Sequence, residues 1–213
     1  MKYSCVLCAA GSGSRMNLGY NKVFYPIFED KTVLDLTISV FEQDPDCNEI
    51  IVVTQKENFK RIHGSDKIKL AEGSSTRSLS VFEGLKCVTN EVVMIHDGAR
   101  PYVTLKNLQD IKACLTHCDA CLLAVPCVDT IKVVKDGVVV QTPKRSDLWN
   151  AQTPQAFKTS LIQQAYQKSF DLKIEVSDDA SCVELCTDVP VHIVPGDYQN
   201  IKITNPQDLK LQK

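Results

Sequence analysis

The chain lacks an excess of either charge: 24 Lys and Arg face 26 Asp and Glu, for a formal net charge of -2 over 213 residues. It also has no basic block or stripe, so a nucleic acid finds no electrostatic footprint and none is expected as a partner. The longest apolar runs are of strand length, far short of the ~20 residues a membrane span requires, so no membrane is expected either. Met1-Lys2-Tyr3-Ser4 runs straight into a strand-like stretch without a small-residue cleavage site. It does not read as a signal peptide, and a cytoplasmic protein is expected. Glycine and proline number only 9 each, with no low-complexity tract and no internal repeat. What remains is an ordinary globular composition, 44% hydrophobic and 23% charged, expected as one domain over 1–213.

Cysteine, by contrast, is plentiful, with ten in the chain. Cys5, Cys8, Cys87, Cys114, Cys121 and Cys127 sit inside apolar segments, where a free thiol acts as a small hydrophobe. Cys5/Cys8 and Cys118/Cys121 have C-x-x-C spacing. The first pair falls within a predicted strand, whose odd offset sends its members to opposite faces. The cysteines therefore read as core packing rather than as zinc or redox sites.

Hydrophobic periodicity alternates between strand and helix. Strands are predicted at Tyr3–Ala9, Ile50–Thr54, Ile68–Ala71, Val92–His96 and Ala120–Val125. Helices are predicted at Thr32–Gln43, Glu57–His63, Ser78–Val88 and Leu105–Thr116. Repeated β-then-α order predicts an α/β fold, a mostly parallel twisted sheet covered on both faces. After Pro126 the pattern changes. Thr130–Lys135 and Val138–Thr142 alternate around Asp136-Gly137, a strong hairpin signal. This projecting arm, at about 128–150, is a candidate for pairing with another subunit. A helix over Lys158–Gln167, another opened by Asp178-Asp179-Ala180, strands at Val191–Val194 and Ile201–Thr204, and a terminal helix around Pro206–Leu209 complete the reading.

The first strand ends in Ala9-Ala10-Gly11-Ser12-Gly13-Ser14-Arg15-Met16. Small residues let backbone N–H groups approach a polyphosphate, and Arg15 adds fixed positive charge. It is not a Walker loop, which needs Gly-Lys-Ser/Thr where Ser14-Arg15-Met16 stand. Nor is it a dinucleotide fingerprint, which wants a glycine at Met16 and an acid where Thr54-Gln55 stand. Lys22, seven residues beyond Arg15, is a second cation able to flank one triphosphate.

Ala9-Ala10-Gly11-x-Gly13-x-Arg15-Met16 followed by Lys22 resembles the opening of the 2-C-methyl-D-erythritol 4-phosphate cytidylyltransferases. So do His96-Asp97-Gly98-Ala99-Arg100-Pro101, Asp129-Thr130-Ile131-Lys132, Trp149 to Phe157 and Asn200-Ile201-Lys202-Ile203-Thr204, in family order from end to end. The resemblance implies a three-layer, Rossmann-like nucleotidyltransferase fold with a projecting β-hairpin arm. It further implies transfer of CMP from CTP to a polyol phosphate, with Mg²⁺ or another divalent cation and a homodimer. The alternative acceptor is ribitol 5-phosphate, used by a sister family.

Such a reaction needs no general base, because the attacking phosphate is already ionised at neutral pH. It needs cations against building negative charge. The resemblance gives Arg15, Lys22 and Lys202 catalytic roles. Ala9, Ala10, Gly11, Gly13, Gly73, Ser74, Ser80 and Asp97 would surround the nucleotide, with Asp97 also the metal ligand. Arg100 and Thr130 would meet the polyol phosphate, and Arg145 and Thr153 would reach in from a second subunit. The chain departs from the family pattern at three positions. Asn21 replaces a usual proline, which leaves the loop before Lys22 freer when unbound, by roughly 0.4–1 kcal/mol. Gly98 replaces a common alanine. Ser74 stands where a second glycine is usual, so any contact it makes to cytidine is through the backbone. Asp44-Pro45-Asp46, the one Asp-x-Asp of the kind metal-dependent glycosyltransferases use, leads into the second strand and cannot reach the crevice.

Overall fold

Tyr3–Cys8 forms the central strand β1 because its apolar run can be buried on both faces, and Tyr3, Cys5, Val6 and Leu7 are fully enclosed. The computed structural model describes residues 1–11, 20–28, 30–205 and 207–208. After β1 come a short hairpin, β2 (Pro26–Phe28) and β3 (Lys31–Thr32), then α1 (Val33–Gln43), β4 (Cys47–Thr54), β5 (Ile68–Glu72) and α2 (Arg77–Leu85). Next are β6 (Val92–Asp97), α3 (Leu105–Cys114), β7 (Ala120–Pro126), β8 (Val133–Lys135) and β9 (Val138–Gln141). The chain continues with β10 (Trp149–Lys158), α4 (Thr159–Asp171), α5 (Asp179–Cys186) and β11 (His192–Pro195). Helix starts follow capping chemistry: Thr32, Thr76, Thr104 and Asp178 each accept a hydrogen bond from the backbone N–H three residues on.

Seven strands make one sheet in the order β11-β7-β10-β6-β1-β4-β5. All pairings are parallel except those of β10, which runs antiparallel to both β6 and β7. One core joins β1, β4 and β6 to α1 and α3 through residues such as Leu34, Ile38, Phe41, Leu108 and Ile111. A second core, on the opposite face, packs Val81, Leu85, Ile162, Tyr166 and Val183 of α2, α4 and α5. This is the expected three-layer α/β arrangement. Cys5 packs in the first core and Cys8 against the second, on the opposite faces their odd offset requires. No helix among the described residues is long and apolar enough to cross a membrane.

Among the described residues two elements differ from the sequence reading, and the terminal helix expected around Pro206–Leu209 lies partly outside them. Trp149–Lys158 is a ten-residue strand inside the sheet, between β7 and β6, where the sequence offered only a motif. Ile201–Thr204 is not a strand. Ile203 is buried and its N–H bonds Ala99 O at 2.8 Å, so the alternation there records one anchored residue rather than a ladder. The hairpin arm is present as a separate two-stranded ribbon, β8 against β9. Asp136 (φ 51°) and Gly137 (φ 79°) supply the two positive φ angles of a type I′ turn.

Candidate active site

From β1 the chain crosses to β4 and β5 on one side, then returns to β6 on the other. The carboxyl ends of β1 and β6 thus mark the point where strand order reverses, the place where open α/β sheets bind ligands. The register pairs Cys8 with Asp97 there. A cavity of about 460 Å³ opens at this point, lined by Ala9, Ala10, Gly11, Lys22, Ser74, Ser80, Asp97 and Lys202 among others. Eight of the residues singled out in the sequence therefore converge. Gly13 and Arg15 lie outside the described residues.

Each wall has a local cause. Ala9 O accepts from Thr54 Oγ1 (3.1 Å) and Asn21 Nδ2 (2.5 Å), which fixes the end of β1 against β4. Gly73 N–H bonds Thr54 O at 2.9 Å, and a Cβ at Gly73 would collide with that of Ala10. Ser80, buried near the start of α2, accepts from Ser74 N at 2.9 Å and donates to Thr76 O at 2.8 Å. Ser74 is thereby held through its backbone. Asn21 adopts φ −65°, the value a proline would impose, and its side chain accepts from Val23 N to cap the turn carrying Lys22. Hydrogen bonds thus do at this position what a pyrrolidine ring would do covalently.

Asp97 is the electrostatic centre. It is 7% exposed. Lys202 Nζ stands 2.9 Å from Oδ2, Arg100 Nε 3.4 Å from Oδ2, and Arg77 Nε 3.8 Å from Oδ1. Burial alone would raise its pKa, but Lys202, Arg77 and Arg100 outweigh burial and hold the carboxyl far below the usual carboxylate range. Asp97 is therefore ionised at any working pH. It is also the only acid lining the cavity among the described residues.

The chain matches a family model, 2-C-methyl-D-erythritol 4-phosphate cytidylyltransferase, over residues 3–213. The chain belongs to that family. A cytidylyltransferase of this name from Halalkalibacterium halodurans is 41% identical over 217 residues, covering 98% of this chain and 94% of the relative. One from Clostridioides difficile is 39% identical over 218 residues, covering 98% and 91%. The crystal structure of the Anaerococcus prevotii 4-diphosphocytidyl-2C-methyl-D-erythritol synthase superposes with a TM-score of 0.86 at 33% identity, covering 99% of this chain and 95% of that one. The Francisella tularensis 2-C-methyl-D-erythritol 4-phosphate cytidylyltransferase matches equally well, TM-score 0.86 at 30% identity, covering 99% and 98%.

In this cytidylyltransferase-family chain the remaining candidates separate into two places. Arg100 does not line the cavity but stands behind Asp97, with Nε 3.4 Å from its Oδ2 and Nη1 donating to Asn200 O at 2.7 Å. Thr130 and Arg145 are exposed on the arm, and Arg145 Nη1 donates to Val128 O at 3.1 Å. Within this chain they do not join the cavity lining. Thr153 corrects the sequence reading. It does not extend from an arm toward another subunit but is buried in β10 beneath Asp97 of its own chain.

The Thr153 hydroxyl accepts from Asp97 N (3.1 Å) and lies 2.9 Å from His96 Nδ1, while His96 Nε2 lies 3.1 Å from Arg100 O. A carbonyl can only accept, so Nε2 carries the proton and Nδ1 accepts from Thr153. Burial pushes the His96 pKa down to about 4, consistent with that neutral ring.

Arg77 was missed in the sequence. It makes a two-pronged pair with the fully buried Asp179, Nη1–Oδ1 3.0 Å and Nη2–Oδ2 2.6 Å, and Tyr166 Oη donates to Oδ1 at 2.5 Å. A readable signal did exist. An arginine in the first turn of a helix opposes the helix dipole, a cost that an acid from elsewhere offsets. Asp44 and Asp46 lie at the opposite ends of the strands, both engaged by Lys112, so no metal site of the glycosyltransferase kind forms there.

Proposed function

We propose that this chain transfers CMP from CTP to 2-C-methyl-D-erythritol 4-phosphate, giving 4-diphosphocytidyl-2-C-methyl-D-erythritol and pyrophosphate for isoprenoid precursor synthesis. The observation that carries the reading is the convergence of Lys22, Lys202 and Asp97 on the small-residue loop at the strand-order switch point. The relatives, named 2-C-methyl-D-erythritol 4-phosphate cytidylyltransferases, favour methylerythritol phosphate over ribitol 5-phosphate as acceptor.

A substrate phosphate oxygen attacks the α-phosphorus, and the pyrophosphate oxygen leaves as that bond forms. Lys22 and Arg15 hold the triphosphate, and Lys202 neutralises the α-phosphate from the other side. Ala9, Ala10, Gly11 and Gly13 let the backbone approach the nucleotide, with Gly73, Ser74 and Ser80 walling the cytidine side. One carboxylate fits Mg²⁺ that arrives with a nucleotide, since that ion is commonly held by one or two carboxylates and completed by phosphate oxygens. Asp97 would hold it once Lys202 turns to the phosphate. Bound there, the ion would neutralise charge on the triphosphate.

We read the chain as one nucleotidyltransferase domain whose arm, at about 128–150, pairs with a second copy. Val133, Val134, Val138, Val139 and Val140 are between 41% and 65% exposed on an isolated ribbon, and Trp149 is 41% exposed where the chain rejoins the sheet. Two strands alone are marginally stable, and a two-fold partner would cover those side chains. Arg145 and Thr130 of one copy would then meet the acceptor in the other, beside Arg100. All ten cysteines lie among the described residues and none is in a disulfide, which suits the reducing cytoplasm. The near-neutral charge of -2 argues for small-molecule partners rather than nucleic acid.

Pyrophosphate release, measured with four nucleoside triphosphates and both polyol phosphates, tests this reading. It should require CTP and methylerythritol phosphate together. Faster turnover with ribitol phosphate, or with another nucleotide, would overturn it.

A further inference from the structure

Away from the crevice, at the amino ends of the parallel strands, three cysteine sulfurs converge. Cys114 closes α3, Cys118 follows in the turn and Cys121 is the second residue of β7. Their sulfurs all lie within 4.8 Å of one another, with Cys114 Sγ and Cys118 Sγ 3.4 Å apart. The C-x-x-C spacing of Cys118 and Cys121 conceals the third member, because Cys114 is brought round only by the helix end. Packing explains Cys121, which is fully buried. Cys114 and Cys118 are half-buried against the same core at the helix terminus, and packing alone does not require all three sulfurs to face one another.

We propose that Cys114, Cys118 and Cys121 form a three-sulfur site for a thiophilic divalent cation of the zinc class. Zinc–sulfur bonds of ~2.3 Å at tetrahedral angles set sulfurs about 3.8 Å apart. Cys114 Sγ and Cys118 Sγ stand within a few tenths of an ångström of that value, and Cys121 Sγ lies within 4.8 Å of both. Three vertices come from protein. The fourth is left for solvent or a ligand, and a groove of about 640 Å³ between α3 and Ile193–Asp197, with Cys114 in its wall, provides an entry path. Burial and the neighbouring Cys114 push the Cys118 thiol up to about 11. Cation binding at Cys118 would therefore displace its proton. A bound ion would tie the end of α3 to β7 and leave the cytidylyl-transfer cavity untouched.

Reduced, metal-stripped full-length protein is titrated with Zn²⁺ against a chromophoric chelator. Cd²⁺ is titrated in parallel, read by sulfur-to-metal charge-transfer absorption, and melting temperature is recorded with and without Zn²⁺. The wild type should take up one tight equivalent and melt higher with it. Cys114→Ser and Cys118→Ser, both at only partly buried positions, should each weaken binding beyond the ~10–100-fold that loss of an outer-shell partner costs. Both variants should also lose the melting shift while keeping wild-type turnover. Cys118→Ala provides the same test if a serine variant fails to fold. Absence of a tight equivalent in the wild type overturns the proposal, as does equal affinity in the variants. Peptide mapping that finds a Cys114–Cys118 disulfide under oxidised glutathione, in protein that binds no Zn²⁺ when reduced, would also overturn it and identify a redox pair.

Discussion

His96 should make the protein acid-sensitive in a defined window. Its ring is fully buried against Phe41, with centroids 5.2 Å apart. Burial lowers its pKa from 6.5 to about 4. Above pH 6.5 the ring is neutral in both the folded and unfolded chain, and its contribution is fully present. As pH falls from there, the unfolded chain binds a proton that the folded one refuses, so stability drops until both are protonated below about 4. At 1.36 kcal/mol per unit, the window is worth ~3 kcal/mol. In urea, with a slope of roughly 1–3 kcal/mol per molar, that shifts the midpoint by about 1 M or more. Glu49 is lowered from 4.5 to about 2, so its own loss begins only below 4.5 and leaves the upper window to His96. His96→Gln keeps a donor for Arg100 O and an acceptor for Thr153 but cannot titrate. Urea midpoints of both proteins, measured at intervals from pH 7 to 4.5, should diverge in slope, with the wild type falling more steeply. Parallel slopes would refute the buried-neutral assignment.

Replacing Lys22 or Arg15 with Ala should lower turnover ~10²-fold or more with the fold retained, as expected for lost transition-state stabilisation. Near-normal turnover with CTP would remove both from catalysis. Asp97→Asn keeps shape but loses charge, so activity should collapse and return only partly with excess Mg²⁺. An unchanged metal-dependence curve would mean that the ion is held elsewhere. Gly73→Ala drives a methyl into Ala10, and the KM for CTP should rise ~10-fold or more. An unaltered KM would show that the loop can yield. Arg145→Ala should raise the KM for the polyol phosphate alone. Mixing it with Arg100→Ala should restore activity if Arg145 acts across a dimer, and no recovery despite demonstrated subunit exchange would place it within its own chain.

The layered plan was legible because β1, β4, β6 and β7 are apolar runs buried on both faces, and because helix faces repeat at 3.6 residues. β10 was not legible. It carries Gln152, Thr153 and Gln155 into the interior, each satisfied by hydrogen bonds to residues far away in sequence, and its pairing with β7 is irregular between Ala151 and Gln155. Buried polar residues with remote partners leave no periodic trace. The nucleotide side of the site was readable because small residues after a strand carry their reason locally. The Arg77–Asp179 pair spans 102 positions, and only the cost of a cation at a helix start hinted at it. The reading of Ile201–Thr204 as a strand failed because a single buried Ile203 mimics a short alternation.

The arm leaves the sheet after Pro126 and re-enters at Trp149, and these two residues are paired neighbours in the β7–β10 ladder. Cys127 N–H bonds Leu148 O at 2.9 Å just beyond them. The exit and entry points of some twenty intervening residues are thus stitched together by the same rungs that build the sheet. A segment attached in this way is a detachable loop in the topological sense: its length, sequence and projection can change while every other connection keeps its span. Replacement of 128–147 by a tight turn would leave a shortened β7–β10 hairpin in register, with Thr153 still seated beneath Asp97.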